Sequence, residues 1–266
     1  MDDSRFSISA QDLFVRLGTA TSPVVIDVRR PPAFDADETM VVGAVRRLPD
    51  QIESWRGALP TNRSVVVYCV HGHEVSQNAA QALRAGGLEA SYLEGGIAAW
   101  TENKLPKRNR TAMSGKWVTR ERPKIDRIAC PWLVRRFIDP GAEFLYVPTG
   151  RVFEVAKETA AIAYDIPGAE PFSHEGERCS FDAFIKIFGI VDAALDHLAL
   201  IVRGADTGRL ELTPQSAGLL AVSLGLSANY PADDHAMLEQ GMTVYDALYS
   251  WCRSAQGEVH SWKPSV

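Results

Sequence analysis

Along the first hundred residues the apolar positions switch repeatedly between two periods. Ser64-Val65-Val66-Val67 is a short β-branched run, the pattern of a buried strand. A few residues later the spacing changes, and Val75, Ala79, Ala80 and Leu83 recur at helical intervals. Val24 to Val28 reads as a central strand and Ala90 to Leu93 as a last short one. Ile8 to Gly18 reads as a helix, with Ser9 as cap, Asp12 in the first turn and Gly18 at its end. Pro49 to Trp55 reads as a short helix, and Pro60-Thr61-Asn62-Arg63 as the turn before Ser64. Strands alternating with helices predict a mainly parallel sheet covered on both faces. Such sheets carry their active loops at the carboxyl ends of strands.

Beyond Gly115 the helical period takes over. Ile125, Ile128, Ala129, Trp132, Leu133 and Phe137 follow it, although Pro131 must kink or restart that helix, and Asp139-Pro140-Gly141 stops it. Glu143 to Val147 is a candidate strand. Ser180 caps a helix running to Phe188, Asp192 to Val202 is amphipathic, Thr213-Pro214 opens another helix, and Asp234 to Arg253 forms the last. Between the two regimes, Lys104 to Lys124 carries eight basic residues against Glu121 alone, a run that usually marks a solvated surface. The expected organisation is therefore an α/β domain over 1–106, a linker over 107–115 and a mostly helical domain over 116–266.

Composition adds bounds. A chain of 266 residues is long enough for two domains with their own cores. A net charge of −5 gives no general reason to expect nucleic acid as a partner. No apolar run is long enough to cross a bilayer, and Met1-Asp2-Asp3-Ser4-Arg5 lacks an apolar signal core, so a cytoplasmic location is expected. The four cysteines, Cys69, Cys130, Cys179 and Cys252, show no Cys-x-x-Cys spacing, which argues against a zinc ribbon or a thioredoxin-type pair.

Cys69 stands where a strand ends and a helix begins, with Gly72 free to curl the intervening backbone. Successive N–H groups of such a curl, with those of the first helical turn, form a nest for an anion. The nest suits an anionic sulfur, and it suits a persulfide equally well. Cys69-Val70-His71-Gly72-His73-Glu74 resembles the active-site loop of single-domain rhodaneses, the sulfurtransferases. Val25-Ile26-Asp27-Val28-Arg29, Val42-Gly43-Ala44-Val45 and Leu93-Glu94-Gly95-Gly96-Ile97-Ala98-Ala99-Trp100 resemble further marks of that family, in the family's order, across roughly residues 6 to 103.

That resemblance implies Cys69 as nucleophile, with Val70, His71, Gly72, His73, Glu74 and Val75 holding the substrate. It implies a small sulfane-sulfur donor, a thiol or cyanide acceptor, and no cofactor for the transfer. It gives Asp27 and Arg29 structural roles. The loop carries no Arg or Lys, which counts against thiosulfate as donor. The same loop geometry serves cysteine phosphatases, but these close Cys-x5-Arg, and Val75 occupies the arginine position. A different class of function is a redox or chromate sensor, with Cys69 a switch rather than a turnover nucleophile.

Trp117-Val118-Thr119-Arg120, Asp126-Arg127-Ile128-Ala129-Cys130-Pro131-Trp132-Leu133 and Ser173-His174-Glu175-Gly176-Glu177-Arg178-Cys179-Ser180-Phe181-Asp182 resemble the C-terminal domain of chromate-resistance protein B, over about residues 116 to 254. The resemblance implies a link to chromate resistance. His174, Glu175, Asp126 and Asp206 are candidate ligands of a divalent metal, since imidazole with carboxylates suits Zn, Fe or Mn, and thiolate from Cys130 or Cys179 would favour Zn. An oxyanion such as chromate, held by Arg120, Arg127 and Arg203, is the alternative. The plain reading of His174-Glu175-Gly176-Glu177-Arg178 is a solvated turn.

Overall fold

The computed structural model describes residues 6–110 and 115–259. It contains two compact units. One comprises the described residues up to Gly115 with Leu133–Glu143 and Ile185–Ile190, and the other Lys116–Trp132, Phe144–Phe184 and the described residues from Val191 onward.

The first unit holds strands β1 (Ser7–Ile8), β2 (Val24–Asp27), β3 (Thr39–Val41), β4 (Val45–Arg46), β5 (Val65–Tyr68), β6 (Ala90–Leu93) and β7 (Lys107–Asn109). Its helices are α1 (Ala10–Arg16), α2 (Pro31–Asp35), α3 (Ile52–Trp55), α4 (Glu74–Ala85) and α5 (Gly96–Glu102). Five strands form one sheet in the order β1-β6-β5-β2-β4, every pair parallel. All four residues of β5 are buried, as expected of a central strand covered on both faces. Val65 and Val67 pack with Ile26, Val28, Ala79, Ala80 and Leu83 in one apolar cluster. Ser9 caps α1, its Oγ accepting from the Asp12 amide at 3.1 Å. Because β2 and β5 are parallel neighbours with Asp27 opposite Tyr68, residues 28–30 and 69–71 emerge side by side at one sheet edge.

The stretch expected as a linker is partly built into this unit. Lys107–Asn109 pairs antiparallel with β3, Met40 opposite Arg108. Arg108 is buried, its Nη2 donating to the Ala44 carbonyl at 3.1 Å, and burial lowers its pKa. Residues 111–114 of that expected linker, the acidic residues 1–5 and residues 260–266 lie outside the described residues. The first unit also recruits residues 133–143 through a close backbone approach. The Gly43 amide donates to the Phe137 carbonyl at 2.6 Å. With φ at +72°, a side chain at position 43 would be strained and would meet the Arg136 carbonyl oxygen at 2.8 Å.

The helix-rich second part of the chain contains β8 (Lys116–Arg120), α6 (Asp126–Leu133), β9 (Glu143–Val147), α7 (Val152–Thr159), β10 (Ile162–Ala163), α8 (Ser180–Phe188), α9 (Ala193–Asp206), α10 (Pro214–Asn229) and α11 (Asp234–Ser250). β8 is the centre of a three-stranded sheet, order β10-β8-β9, although it lies in a run that reads as basic surface. The helix from Asp126 passes through Pro131 rather than stopping there, and a π-helical turn over Val134–Ile138 follows it. Proline removes the bond to the carbonyl four residues back. That carbonyl, Arg127 O, instead accepts from Tyr146 Oη at 3.0 Å and Tyr164 Oη at 3.5 Å. Among the described residues no helix is long and apolar enough to cross a membrane.

Candidate functional site

Cys69 is the first residue after β5, and α4 begins at Glu74, so the thiol stands at the strand-to-helix loop. The loop is clamped through its carbonyls. Cys69 O and Val70 O accept from the Ile97 and Ala98 amides in the first turn of α5, both at 3.0 Å. Gly72 O accepts from Gln77 Nε2 at 3.0 Å, and His73 O from the Ser76 and Gln77 amides at 3.1 Å. Gly72 has φ +71°, and a Cβ there would lie 2.6 Å from Leu93 O and 2.7 Å from Gly95 N. Only glycine lets the loop fold down onto the Leu93-Glu94-Gly95-Gly96 turn. Cys69 Sγ lies 3.2 Å from the hydroxyl of buried Ser76.

Cys69, Val70, His71, His73, Glu74 and Val75 line a cavity of about 250 Å3, joined by Arg29 and Arg30 from just after β2 and Ala33 from α2. The two exposed imidazoles of His71 and His73 stand 6.0 Å apart between ring centroids. Gly72 is buried behind the cavity wall.

The two arginines differ. Arg29 is buried and engaged by Asp27 through Nε (2.9 Å) and Nη2 (2.7 Å), and by Asp37 through Nη1 (2.7 Å). Tyr68 Oη also donates to Asp27, at 2.9 Å, and burial pushes the Tyr68 phenol well above its ordinary range. Asp27 and Arg29 therefore hold the sheet edge together rather than meeting substrate. Arg30 is exposed, and its guanidinium makes no hydrogen bond or ion pair among the described residues. A cation thus borders the thiol cavity, supplied by the neighbouring strand rather than by the loop.

A second cluster lies in the other unit. His174 Nε2 stands 3.2 Å from Asp206 Oδ2, 3.5 Å from Asp126 Oδ2 and 3.5 Å from Asp165 Oδ1. Asp126 comes from the first turn of α6, Asp206 from the end of α9, and Asp165 from just after β10. Asp126 is buried, and its Oδ2 accepts from the Ser180 and Phe181 amides at the start of α8, at 2.5 and 3.3 Å. Asp165 accepts from Ser180 Oγ at 2.7 Å and Arg120 Nη2 at 3.0 Å, and forms an ion pair with Arg127 Nε at 3.5 Å. It does so from a left-handed backbone, φ +51°, a region uncommon for non-glycine residues in which aspartate is among the better tolerated. The three carboxylates push His174 up to about 12, through hydrogen bonds to Asp126, Asp165 and Asp206. Desolvation, together with Asp206 and Asp165, pushes Asp126 up to about 7 against the favourable pull of His174.

Comparison with known proteins follows this division. The ChrB C-terminal domain family matches residues 117–252, more than half of the chain. The chain belongs to this family. The rhodanese-like domain family matches residues 10–103, so the parallel-sheet unit carries a rhodanese-like domain. Protein ChrB of Cupriavidus metallidurans is 36% identical over 148 residues, 55% of this chain and 44% of that protein, so the match spans less than half of ChrB. A sulfurtransferase of Allochromatium vinosum is 28% identical over 99 residues, 37% of this chain and 91% of that protein. A rhodanese-related protein from Thermoplasma volcanium overlays with a TM-score of 0.34 at 28% identity, covering 38% of this chain and 95% of that one.

In the ChrB-type region, the structure brings Asp126, His174 and Asp206 together, each with one ligand atom within 4.8 Å of the others. Glu175 is not brought in. It is exposed and forms a backbone bridge with Arg178 across a two-residue turn. Cys130 and Cys179 stay out of the ligand set; both are buried, and burial pushes their thiols well up. The three arginines considered for an oxyanion are all paired with carboxylates. Arg203 holds Asp182 through two nitrogens, at 2.9 and 2.5 Å, while Arg120 and Arg127 serve Asp165. The residues that the sequence reading missed are Asp165 and, at the rhodanese-like cavity, Ser76 and Arg30. The parallel pairing of β2 with β5 is the signal that could have found Arg30.

Proposed function

We propose that the rhodanese-like domain transfers a sulfane sulfur through a persulfide on Cys69, serving a chain whose second part belongs to chromate resistance. The supporting observation is the clamped loop. With the carbonyls of Cys69, Val70, Gly72 and His73 tied back to α4 and α5, the amides from Val70 to Val75 are the groups left for an anionic sulfur. The cavity of about 250 Å3 in front of the thiol admits a small donor.

The chemistry is a two-step nucleophilic exchange. The Cys69 thiolate attacks the outer sulfur of thiosulfate. The S–S bond of the donor breaks, and sulfite leaves with the electron pair. The new Sγ–S bond carries its negative charge on the terminal sulfur, facing the loop amides. Cyanide or a thiolate acceptor then attacks that sulfur, the Sγ–S bond breaks, and the Cys69 thiolate is restored as thiocyanate or an acceptor persulfide departs. Ser76 Oγ, 3.2 Å from Sγ and 3.2 Å from the His73 carbonyl, can turn its one proton from that carbonyl to the thiolate. Arg30 holds the anionic end of the donor, offsetting Glu74 at the same cavity.

The test is a thiosulfate–cyanide assay with mass spectrometry of the intact chain. The expected result is thiocyanate production, one added sulfur atom on Cys69 before cyanide, its loss after cyanide, and no turnover in Cys69→Ser. Stable modification of Cys69 without turnover would replace the enzyme with a sensor. Turnover undiminished in Cys69→Ser would overturn the proposal.

A further inference from the structure

We infer that Asp126, His174 and Asp206 form a binding site for one divalent cation of the Mn, Fe or Zn class. This rests on the helix-rich unit alone and stands independently of sulfur transfer.

The geometry is that of ligands around a shared ion. Donor atoms about 2.1 Å from one centre stand roughly 3 to 4 Å from each other. His174 Nε2 is 3.2 Å from Asp206 Oδ2 and 3.5 Å from Asp126 Oδ2. The three residues come from α6, α9 and the loop before α8, so their convergence is a product of the tertiary fold and not of local sequence.

A second observation is independent of that spacing. Asp126 is 1% exposed, and its Oδ1 has no hydrogen-bond partner among the described residues. Its other oxygen is pinned by two amides at the start of α8, which fixes the carboxylate beside His174. A buried, unpaired carboxylate oxygen is costly unless something supplies positive charge. Among the described residues the guanidinium groups do not supply it, since Arg120 and Arg127 are turned to Asp165 and Arg203 to Asp182, and the His174 ring meets the other oxygen, Oδ2. A cation held by Asp126, Asp206 and His174 Nε2, in place of the proton that Nε2 shares with these carboxylates, would bring positive charge to the Asp126 carboxylate.

The donor set narrows the ion. One imidazole with two carboxylates suits Mn2+, Fe2+ or Zn2+, while thiolate-selecting ions find no sulfur here. Asp165 is a positioning residue. Its oxygens are taken by Ser180, Arg120 and Arg127, and it holds the α8 start that pins Asp126. His174 is 43% exposed, so the ion has a route from solvent.

The experiment uses the full chain, stripped with a chelator and reloaded separately with Mn2+ and Zn2+. Metal content after desalting and the loss of the free-Mn2+ electron paramagnetic resonance signal are the readouts. About one ion per chain is expected for the wild type, with binding at least about ten-fold weaker in Asp126→Asn and Asp206→Asn, and unchanged in Cys69→Ser. Should Asp126→Asn fail to fold, Asp206→Asn and His174→Gln, at more exposed positions, give the same reading. A wild-type chain that retains neither metal overturns the inference. So does a folded Asp206→Asn or His174→Gln that retains the wild-type content, or chromate binding at these residues without any metal.

Discussion

Asp27 and Asp126 are both removed from solvent, at 0% and 1% exposure, and their surroundings could hardly differ more. Around Asp27 every lone pair is used. Oδ1 accepts the Arg29 amide at 3.0 Å and its Nε at 3.1 Å, and Oδ2 accepts Nε, Nη2 and the Tyr68 hydroxyl. Around Asp126 one oxygen is pinned and the other is left over. A buried carboxylate with a complete set of partners is architecture. One with an oxygen to spare, whose other oxygen lies 3.5 Å from an imidazole that also meets a second carboxylate, is a place where something binds. Burial alone separates the two cases poorly; the count of satisfied lone pairs separates them well.

The same isosteric change at both positions tests that contrast, and it carries the largest expected effect. Asp27→Asn leaves the Arg29 guanidinium buried with only Asp37 to balance it. Breaking one partner of a buried ion pair costs about 3–5 kcal/mol. Asp126→Asn, made in metal-free protein, keeps the carbonyl oxygen that accepts from Ser180 and Phe181 and leaves His174 its contacts with Asp165 and Asp206. Its cost should stay within about 1 kcal/mol. Chemical denaturation of the two variants beside the wild type measures both. Equal costs would erase the distinction between a closed pair and an open site.

The next largest effect sharpens the comparison from the ligand side. An ion that binds only the folded chain stabilises it by about 2.7 kcal/mol at a hundred times its dissociation constant. Thermal unfolding of the wild type should move up with Mn2+ or Zn2+, and Asp126→Asn should respond by about half as much or less. Asp27→Asn, if folded, should respond like the wild type, because its partners are Arg29 and Tyr68 and not the ion. A metal-induced rise of the same size in Asp126→Asn would place the ion elsewhere.

Much of this was legible in the chain, and the remainder was not for physical reasons. The Cys69 loop is local: a strand, a curl and a helix follow one another within twenty residues, so hydrophobic period and one glycine are enough to find it. Asp126, His174 and Asp206 could be named as candidates from their chemistry, but their meeting depends on three elements packing together. Asp165 gave no signal, since its role comes from a left-handed backbone between a two-residue strand and a loop. Glu175 looked as good as His174, but its carboxylate is not among the ligand atoms that converge. β8 escaped because Trp117 and Thr119 are buried within a run whose net charge reads as surface. Arg108 escaped for the same reason.

The smallest effect concerns two neighbours in sequence, Arg29 and Arg30. Arg29 is spent on Asp27 and Asp37, whereas Arg30 borders the Cys69 cavity with its guanidinium unpaired among the described residues. The cavity's other charged side chain at the loop is Glu74, which repels an anionic donor. Removing Arg30 should therefore weaken donor binding while leaving the thiol and its amide nest intact. An exposed charge–charge contact is worth up to about 1 kcal/mol, or roughly five-fold in affinity. Arg30→Ala is expected to raise KM for thiosulfate by about that factor, with kcat nearly unchanged. With a neutral persulfide donor the same variant should match the wild type, and raised salt should narrow the gap seen with thiosulfate. A KM for thiosulfate that does not move would mean that the loop amides alone receive the donor, and that the unpaired arginine is only surface.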